Sequence, residues 1–525
     1  MIEKYYSGVI EQIYNRIGKE TRNIVMANYS NDFSIENLEV IRRYQSNEDN
    51  VFFAYSEFSY NTLVGAYEPF LDIICNMHRR FIGGSFDDFQ KECGVYYLHR
   101  QVLNSYYETG ECFREETVLL NEVAYEQRRM TMAIADMLKK LSEVKPLMIV
   151  INRFQMASKS SIETIKYLID NPCANIGIVL GVNAIVKGTD STVEVWDRIV
   201  ESLEDRSAIY YIGSAGPLKN NVKTTNDDEL YITMNFEQSI QEASNIMEFL
   251  DFEQARRGCR IIEHKLKFED AWIDEKSLRR FYMVYARTSV LLGEMSKAIE
   301  LTNEYKALIP ENDSEHYLSL YYFMKGTCYM YQGKLEKAGN SAKSAYDYAV
   351  LAEDDTLIFK AELLSVMIKM SGWYNIFFCV QDIPVSDEII EKLIKHGYRN
   401  HLAHIYIYAY DNSRDVVKQS FYDESLLKHF TKGLELAKEI GNEQLVYDAY
   451  QKTIMLASTS GLNEIAFLYV IRTYEFMKGH GNIYVARVLT SIGYNLSAMG
   501  KNELVDNYYN CLLYTSDAAD DMQCV

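Results

Sequence analysis

Five consecutive apolar side chains, Leu147 to Ile151, end at the polar pair Asn152 and Arg153. A run of this kind predicts a strand buried on both faces, with its first polar residues at the carboxyl end. Met156-Ala157-Ser158-Lys159-Ser160-Ser161 follows as a polar turn ending in good helix-capping residues, and Ile162 to Ile169 has helical apolar spacing. Asn175 to Asn183 is then a second apolar strand with a polar end. Strand, helix and strand in this order predict a parallel sheet within an α/β domain.

Beyond about Phe252 the pattern changes to long amphipathic helices. Of the six prolines only Pro310 and Pro384 lie after residue 218, as a long helical array requires. Tyr321 to Tyr348 reads as two helices around a turn at Gly333, with small residues at Gly326, Ala338 and Ala345. Such residues let antiparallel helices approach closely, and glycine accepts a positive φ at the turn. Gly293 precedes Ala298 as Gly333 precedes Ala338, forty residues further on. Gly441-Asn442 and Gly481-Asn482 are again forty apart, and Gly461 and Gly500 thirty-nine. This period is the mark of a helix-hairpin solenoid, whose units bury their apolar faces by stacking. The repeat blurs between Trp373 and Asp423, where Ile390 to Asn412 still reads as helix.

Charge and composition narrow the function. The 525 residues carry 74 acidic and 54 basic side chains, a net charge of −20, which argues against a broad phosphate-binding face. No apolar run approaches the ~18–20 residues of a membrane span. Met1-Ile2-Glu3-Lys4-Tyr5 does not open a signal peptide, and the nine cysteines form no Cys-x-x-Cys pair, so a cytoplasmic location is expected. The 42 tyrosines either line a ligand groove or pack between helices, and packing is the reading adopted. His396, His401 and His404 lie close together but lack an ordered acidic or cysteine partner, so no metal is expected. Cys93 with His99 reads as structural, and Ser160 and Ser161 sit outside any Gly-x-Ser-x-Gly elbow. Asp227-Asp228-Glu229 and Asp354-Asp355 read as solvated loops.

Asn152 and Arg153 occupy the place where a phosphate-hydrolysing α/β domain carries the acid that holds Mg²⁺ and its water-polarising neighbour. An amide is a poor ligand for a hard cation, and an adjacent arginine repels it. The region resembles the nucleotide-binding domain of the STAND class of signalling ATPases, the branch of MalT-like and LuxR-type regulators. Met148 to Ile151 match the aliphatics of its second Walker strand, Asn152 and Arg153 replace two acids, and Phe154-Gln155 keep the next pair. Ile176 to Gly181 is similar to the following sensor strand, and Tyr6 to Ile13 to the family's opening segment and helix. Val51-Phe52-Phe53-Ala54 and Tyr67-Glu68-Pro69-Phe70-Leu71 resemble its second strand and Pro-Phe segment. The resemblance puts the phosphate loop after Ile24-Val25-Met26-Ala27, with Asn28 and Phe33 at glycine positions, Ser34 at the lysine and Ile35 at the hydroxyl. A working loop needs those glycines, lysine and hydroxyl, and here all are replaced. The implied domain has a P-loop-NTPase-like α/β fold, no catalytic residue, no cofactor and no hydrolytic activity.

The helical half resembles tetratricopeptide repeats of the longer, roughly forty-residue kind. The implied organisation is a degenerate NTPase domain over residues 1–251, an all-α helical-hairpin solenoid over 252–510, and a non-native tail over 511–525. Cys511 to Asp521 resembles a translated sequencing adapter, which implies a reading frame cut near Asn510. The expected role is the N-terminal and repeat part of a LuxR-type transcriptional regulator. Its repeats would bind a protein, peptide or small effector, with self-association possible in principle and DNA contacted only through a module beyond this chain. The alternatives are an interaction scaffold without a DNA-binding module and, third, an active nucleotide-binding switch.

Overall fold

The computed structural model describes residues 2–29, 38–46, 50–59, 63–114, 116, 118, 122–183, 186–187, 190–204, 209–212, 223–224, 236–268, 273–312, 314–374, 387–409, 424–459, 461–477, 492–493 and 495–506. The chain forms two compact units, Met1–Cys328 and Tyr329–Val525.

Unit 1 begins with α1 (Ile2–Arg16), β1 (Ile24–Tyr29), α2 (Glu39–Ser46), β2 (Phe52–Glu57), α3 (Phe70–Met77), α4 (Phe86–Glu92) and α5 (Tyr97–Thr109). α6 (Val123–Val144), β3 (Leu147–Asn152), α7 (Lys159–Asp170), β4 (Ile176–Asn183), β5 (Val186–Lys187), α8 (Asp190–Glu204), β6 (Ile209–Ile212) and β7 (Lys223–Thr224) follow. Five strands form a parallel sheet in the order β2-β3-β4-β1-β6, while β5 pairs with β7. Ile149 lies opposite Ile178, and Ile178 opposite Ile24, so three apolar strands meet in register at the centre. Every residue of β1, β3 and β4 is buried, which is why these segments are apolar without alternation. Ser158 caps α7 by accepting the Ser161 amide, within the polar turn that the sequence marks.

The rest of unit 1 is helical: α9 (Phe236–Glu248), α10 (Phe252–Phe268), α11 (Glu275–Leu291), α12 (Met295–Ala307) and the greater part of α13 (Ser314–Tyr331). Unit 2 contains α14 (Leu335–Leu351), α15 (Asp355–Tyr374), α16 (Asp387–Lys395), α17 (Arg399–His404), α18 (Glu424–Ile440), α19 (Glu443–Thr459) and α20 (Asn463–Met477). No helix among the described residues is long and apolar enough to cross a membrane.

One turn recurs through the helices. At Gly293, Gly333, Gly397, Gly441, Gly461 and Gly500 the backbone has positive φ, and the next amide bonds back to the carbonyl four residues before the glycine. This six-to-one bond is the Schellman ending, and it satisfies a carbonyl the helix leaves bare. Ala298, Ala338 and Ala466, each five residues past its glycine, are fully buried. Their missing bulk lets the second helix close on the first.

The structure adds two such turns that lack glycine. Leu250, with φ 67°, lies between α9 and α10, and Glu353, with φ 53°, between α14 and α15. A hairpin of the repeat type therefore already stands at α9 and α10. Within the stretch from Ile390 that reads as helix, Gly397, with φ 71°, ends α16, α17 starts at Arg399, and a π-helical turn covers Ile405–Ala409, while 410–412 lie outside the described residues. Gly481-Asn482 and residues 511–525 fall outside the described residues.

Candidate functional site

In a parallel sheet all strands deliver their last residues to one edge, and ligand sites of open α/β sheets form there. β1 ends at Tyr29, β2 at Glu57, β3 at Asn152 and β4 at Asn183. Among the described residues, side chains of the protein itself meet at this edge. Tyr29 donates its hydroxyl to Asn152 Oδ1 at 2.6 Å, reaching across β4, which separates their strands. The Tyr6 ring, on α1, packs edge-on to Tyr29 with centroids 6.3 Å apart. Both rings are fully buried. A Cβ on Gly181 would collide with the Tyr6 hydroxyl and stand 2.8 Å from Asn152 Oδ1. Glycine is therefore required in the middle of a central strand, where it otherwise weakens packing.

Asn152 thus spends an acceptor position on a phenol, in a site with no solvent exposure. Burial, with Tyr29, Tyr55 and Glu57 as further causes, raises the Tyr6 phenol well above its ordinary pKa. Arg153 takes a left-handed backbone, φ 54°, and its guanidinium pairs with Glu57 at 3.1 Å. It also donates to the Phe58 carbonyl at 3.4 Å, while the Tyr55 hydroxyl donates to Glu57. Gln155 Oε1 accepts the Asn183 amide at 3.3 Å, tying the turn after β3 to the end of β4. The charged pair is internally neutral, and Asn152, Glu57 and Gln155 each already accept a hydrogen bond or ion pair from the protein. Such an edge braces strands.

Of the six residues assigned by resemblance, three lie among the described residues. Asn152 and Arg153 lie at the strand end where they were expected, and Asn28 does not lie in a loop. It is buried within β1, opposite Val182 and Tyr211, one residue before the strand ends. The sixth residue of this strand, Tyr29, completes the ladder and pulls Asn28 into the sheet. Phe33, Ser34 and Ile35 fall outside the described residues. Tyr6, Tyr29, Glu57 and Gly181 were missed. Gly181, inside an apolar strand, was the one available signal of a close approach.

The other candidates take structural places. His99 Nε2 lies 2.9 Å from Glu126, both fully buried, and burial followed by Arg114 and Arg129 lowers the His99 pKa well below its usual value. Burial pushes the Cys93 thiol up to about 12. Ser160 and Ser161 hold the start of α7: the Ser160 amide donates to Asp251 at 3.0 Å and the Ser161 hydroxyl to the Glu68 carbonyl at 2.8 Å. His396 stacks on Phe359, with centroids 4.4 Å apart, and His401 and His404 are buried. Among the described residues no group of three His, Cys, Asp or Glu is arranged to hold a metal ion. A cavity of about 400 Å³ opens beside α6 and α7. On its wall Lys166 is held by Asp170 and Arg198 by Glu163.

No family model matches the chain, and no curated protein matches it. Solved structures similar to it include a signal-transduction ATPase with numerous domains and a tetratricopeptide-repeat sensor, from Pyrococcus horikoshii. It is 12% identical with a TM-score of 0.47, and the match covers 97% of this chain and 89% of that one. A Rap protein complexed with competence and sporulation factor is 15% identical with a TM-score of 0.36, over 55% of this chain and 77% of that one. NprR in complex with its cognate peptide NprX is 12% identical, also at 0.36, over 55% and 80%. At these similarities the function is argued from the chain itself.

Proposed function

We propose that this chain is a regulatory interaction scaffold: an inert P-loop-NTPase-like α/β domain carrying a tetratricopeptide-like array that binds a protein, peptide or small effector. The observation that carries it is the Tyr29–Asn152 bond beneath Tyr6, which puts a closed polar brace at the edge where a nucleotide switch needs carboxylate and water. A working switch is biased by differential contact with the γ-phosphate. With that contact gone, the stacked hairpins are the element left to receive a signal. Their recurrent turn and buried alanines give a regular surface, and partners of such arrays are recognised along extended faces.

Within this reading the full-length role is that of a LuxR-type transcriptional regulator whose DNA-binding module lies outside the chain. A scaffold without that module is the second reading, and a basic helix-turn-helix encoded downstream of Asn510 separates the two. The α/β assignment is tested by titrating the full chain with Mg-ATP in a calorimeter. No saturable heat up to millimolar nucleotide is expected, and binding in the micromolar range overturns the proposal.

A further inference from the structure

Glu242, on α9, extends toward the segment before α3. A Cβ on Gly65 would stand 3.0 Å from Glu242 Oε1 and 3.4 Å from Glu68 Oε2, so two carboxylates converge on the space that this glycine leaves open. Glu68 Oε2 also accepts the Gly65 amide at 2.9 Å. Among the described residues neither carboxylate is in an ion pair. We propose that Glu68 and Glu242 form a proton-operated latch between the sheet-bearing part of unit 1 and its first helical hairpin. It is closed while the pair holds a proton and loosened once both groups ionise.

Among the described residues no cation compensates the pair. From α3, Asp72 faces it, accepting the Tyr106 hydroxyl of α5 at 2.9 Å, and Cys75 lies on the same helix. Cys112, just past α5, adds a thiol that burial keeps protonated. On α11, Arg280 is bonded to Gln241. α10 meets α9 through the small Gly258, next to Ala243. Burial first, then Glu68 and then Asp72, push the Glu242 carboxyl up to about 7. Burial likewise raises Glu68, against the lowering effect of the Gly65 amide. Two carboxyls in one desolvated site cannot both ionise cheaply.

The sign follows from linkage. Opening returns Glu242 toward its ordinary 4.5, so the closed form holds the proton more tightly. The latch is strongest at low pH, weakens as pH rises toward 7 and levels off above it. Between pH 6 and pH 8 the opening equilibrium should rise about tenfold for one group shifted by this amount.

The test is hydrogen exchange of the full chain at those two pH values, corrected for hydroxide catalysis and read at the amides of 236–248 and 63–72. The expected result is about tenfold faster opening of both segments at the higher pH. In Glu242→Gln the pH dependence should fall well below that of the parent, the remainder coming from the buried Glu68, and the double variant Glu68→Gln with Glu242→Gln, in which it should vanish, serves as the second test should the first fail to fold. Opening that does not change with pH in the parent, or that changes equally in the folded variant, overturns the proposal.

Discussion

Gly181→Ala inserts one methyl group into the brace at the sheet edge. The new carbon would fall 2.8 Å from Asn152 Oδ1 and collide with the Tyr6 hydroxyl, while the flanking strand residues are all buried. Overpacking of this kind costs ~1–3 kcal/mol. Should Asn152 yield and lose its bond from Tyr29, a further ~1 kcal/mol goes with it. Replacing glycine in a strand returns ~0.5–1 kcal/mol, so the net loss is about 1–3 kcal/mol. Urea denaturation measures it, and hydrogen exchange at β1, β3 and β4 locates it. In the Gly181→Ala background, Tyr6→Phe removes the oxygen in collision and should recover about half of the loss. A single variant within about 0.5 kcal/mol of the parent refutes the reasoning. So does a Tyr6→Phe change that deepens the loss.

Restoring acids through Asn152→Asp with Arg153→Asp should yield no phosphate release above the parent in a phosphate assay, because Tyr29 and Tyr6 still fill the edge. Glu57→Gln removes the partner of Arg153 in a pair about one-fifth exposed, and should cost about 1 kcal/mol or less in a denaturation midpoint. Asp251→Ala strips the carboxylate that accepts the Ser160 and Gln254 amides, at 3.0 and 3.4 Å. Losing both contacts should cost about 2 kcal/mol, seen as a lower Tm and as faster exchange at the starts of α7 and α10. Glu353→Gly relieves a left-handed residue and should stabilise unit 2 by about 0.5–1 kcal/mol, read as a raised midpoint.

The strands that carry the candidate site were legible because burial on both faces demands continuous apolar side chains. β3 and β4 lie where Leu147 to Ile151 and Asn175 to Asn183 placed them. Glycine-marked turns were legible because only glycine adopts the left-handed turn freely. The turns at Leu250 and Glu353 were missed for the same reason: packing there imposes positive φ on residues that do not announce it. That Asn28 belongs to β1 was not legible, because a polar side chain at a strand end looks like the first residue of a loop. Its partners Val182 and Tyr211 are supplied by distant segments.

By itself the sequence determined that β3 ends in an amide and a guanidinium, where a cation site would need carboxylates. Side-chain chemistry is local and needs no fold to be recognised. Only the tertiary structure decided what those two residues do instead. Tyr6, Tyr29, Glu57 and Gly181 come from α1 and three different strands, up to 175 residues apart in the chain. Parallel pairing brings the ends of those strands to one edge. The contact distances that make them a brace exist only once the sheet has closed.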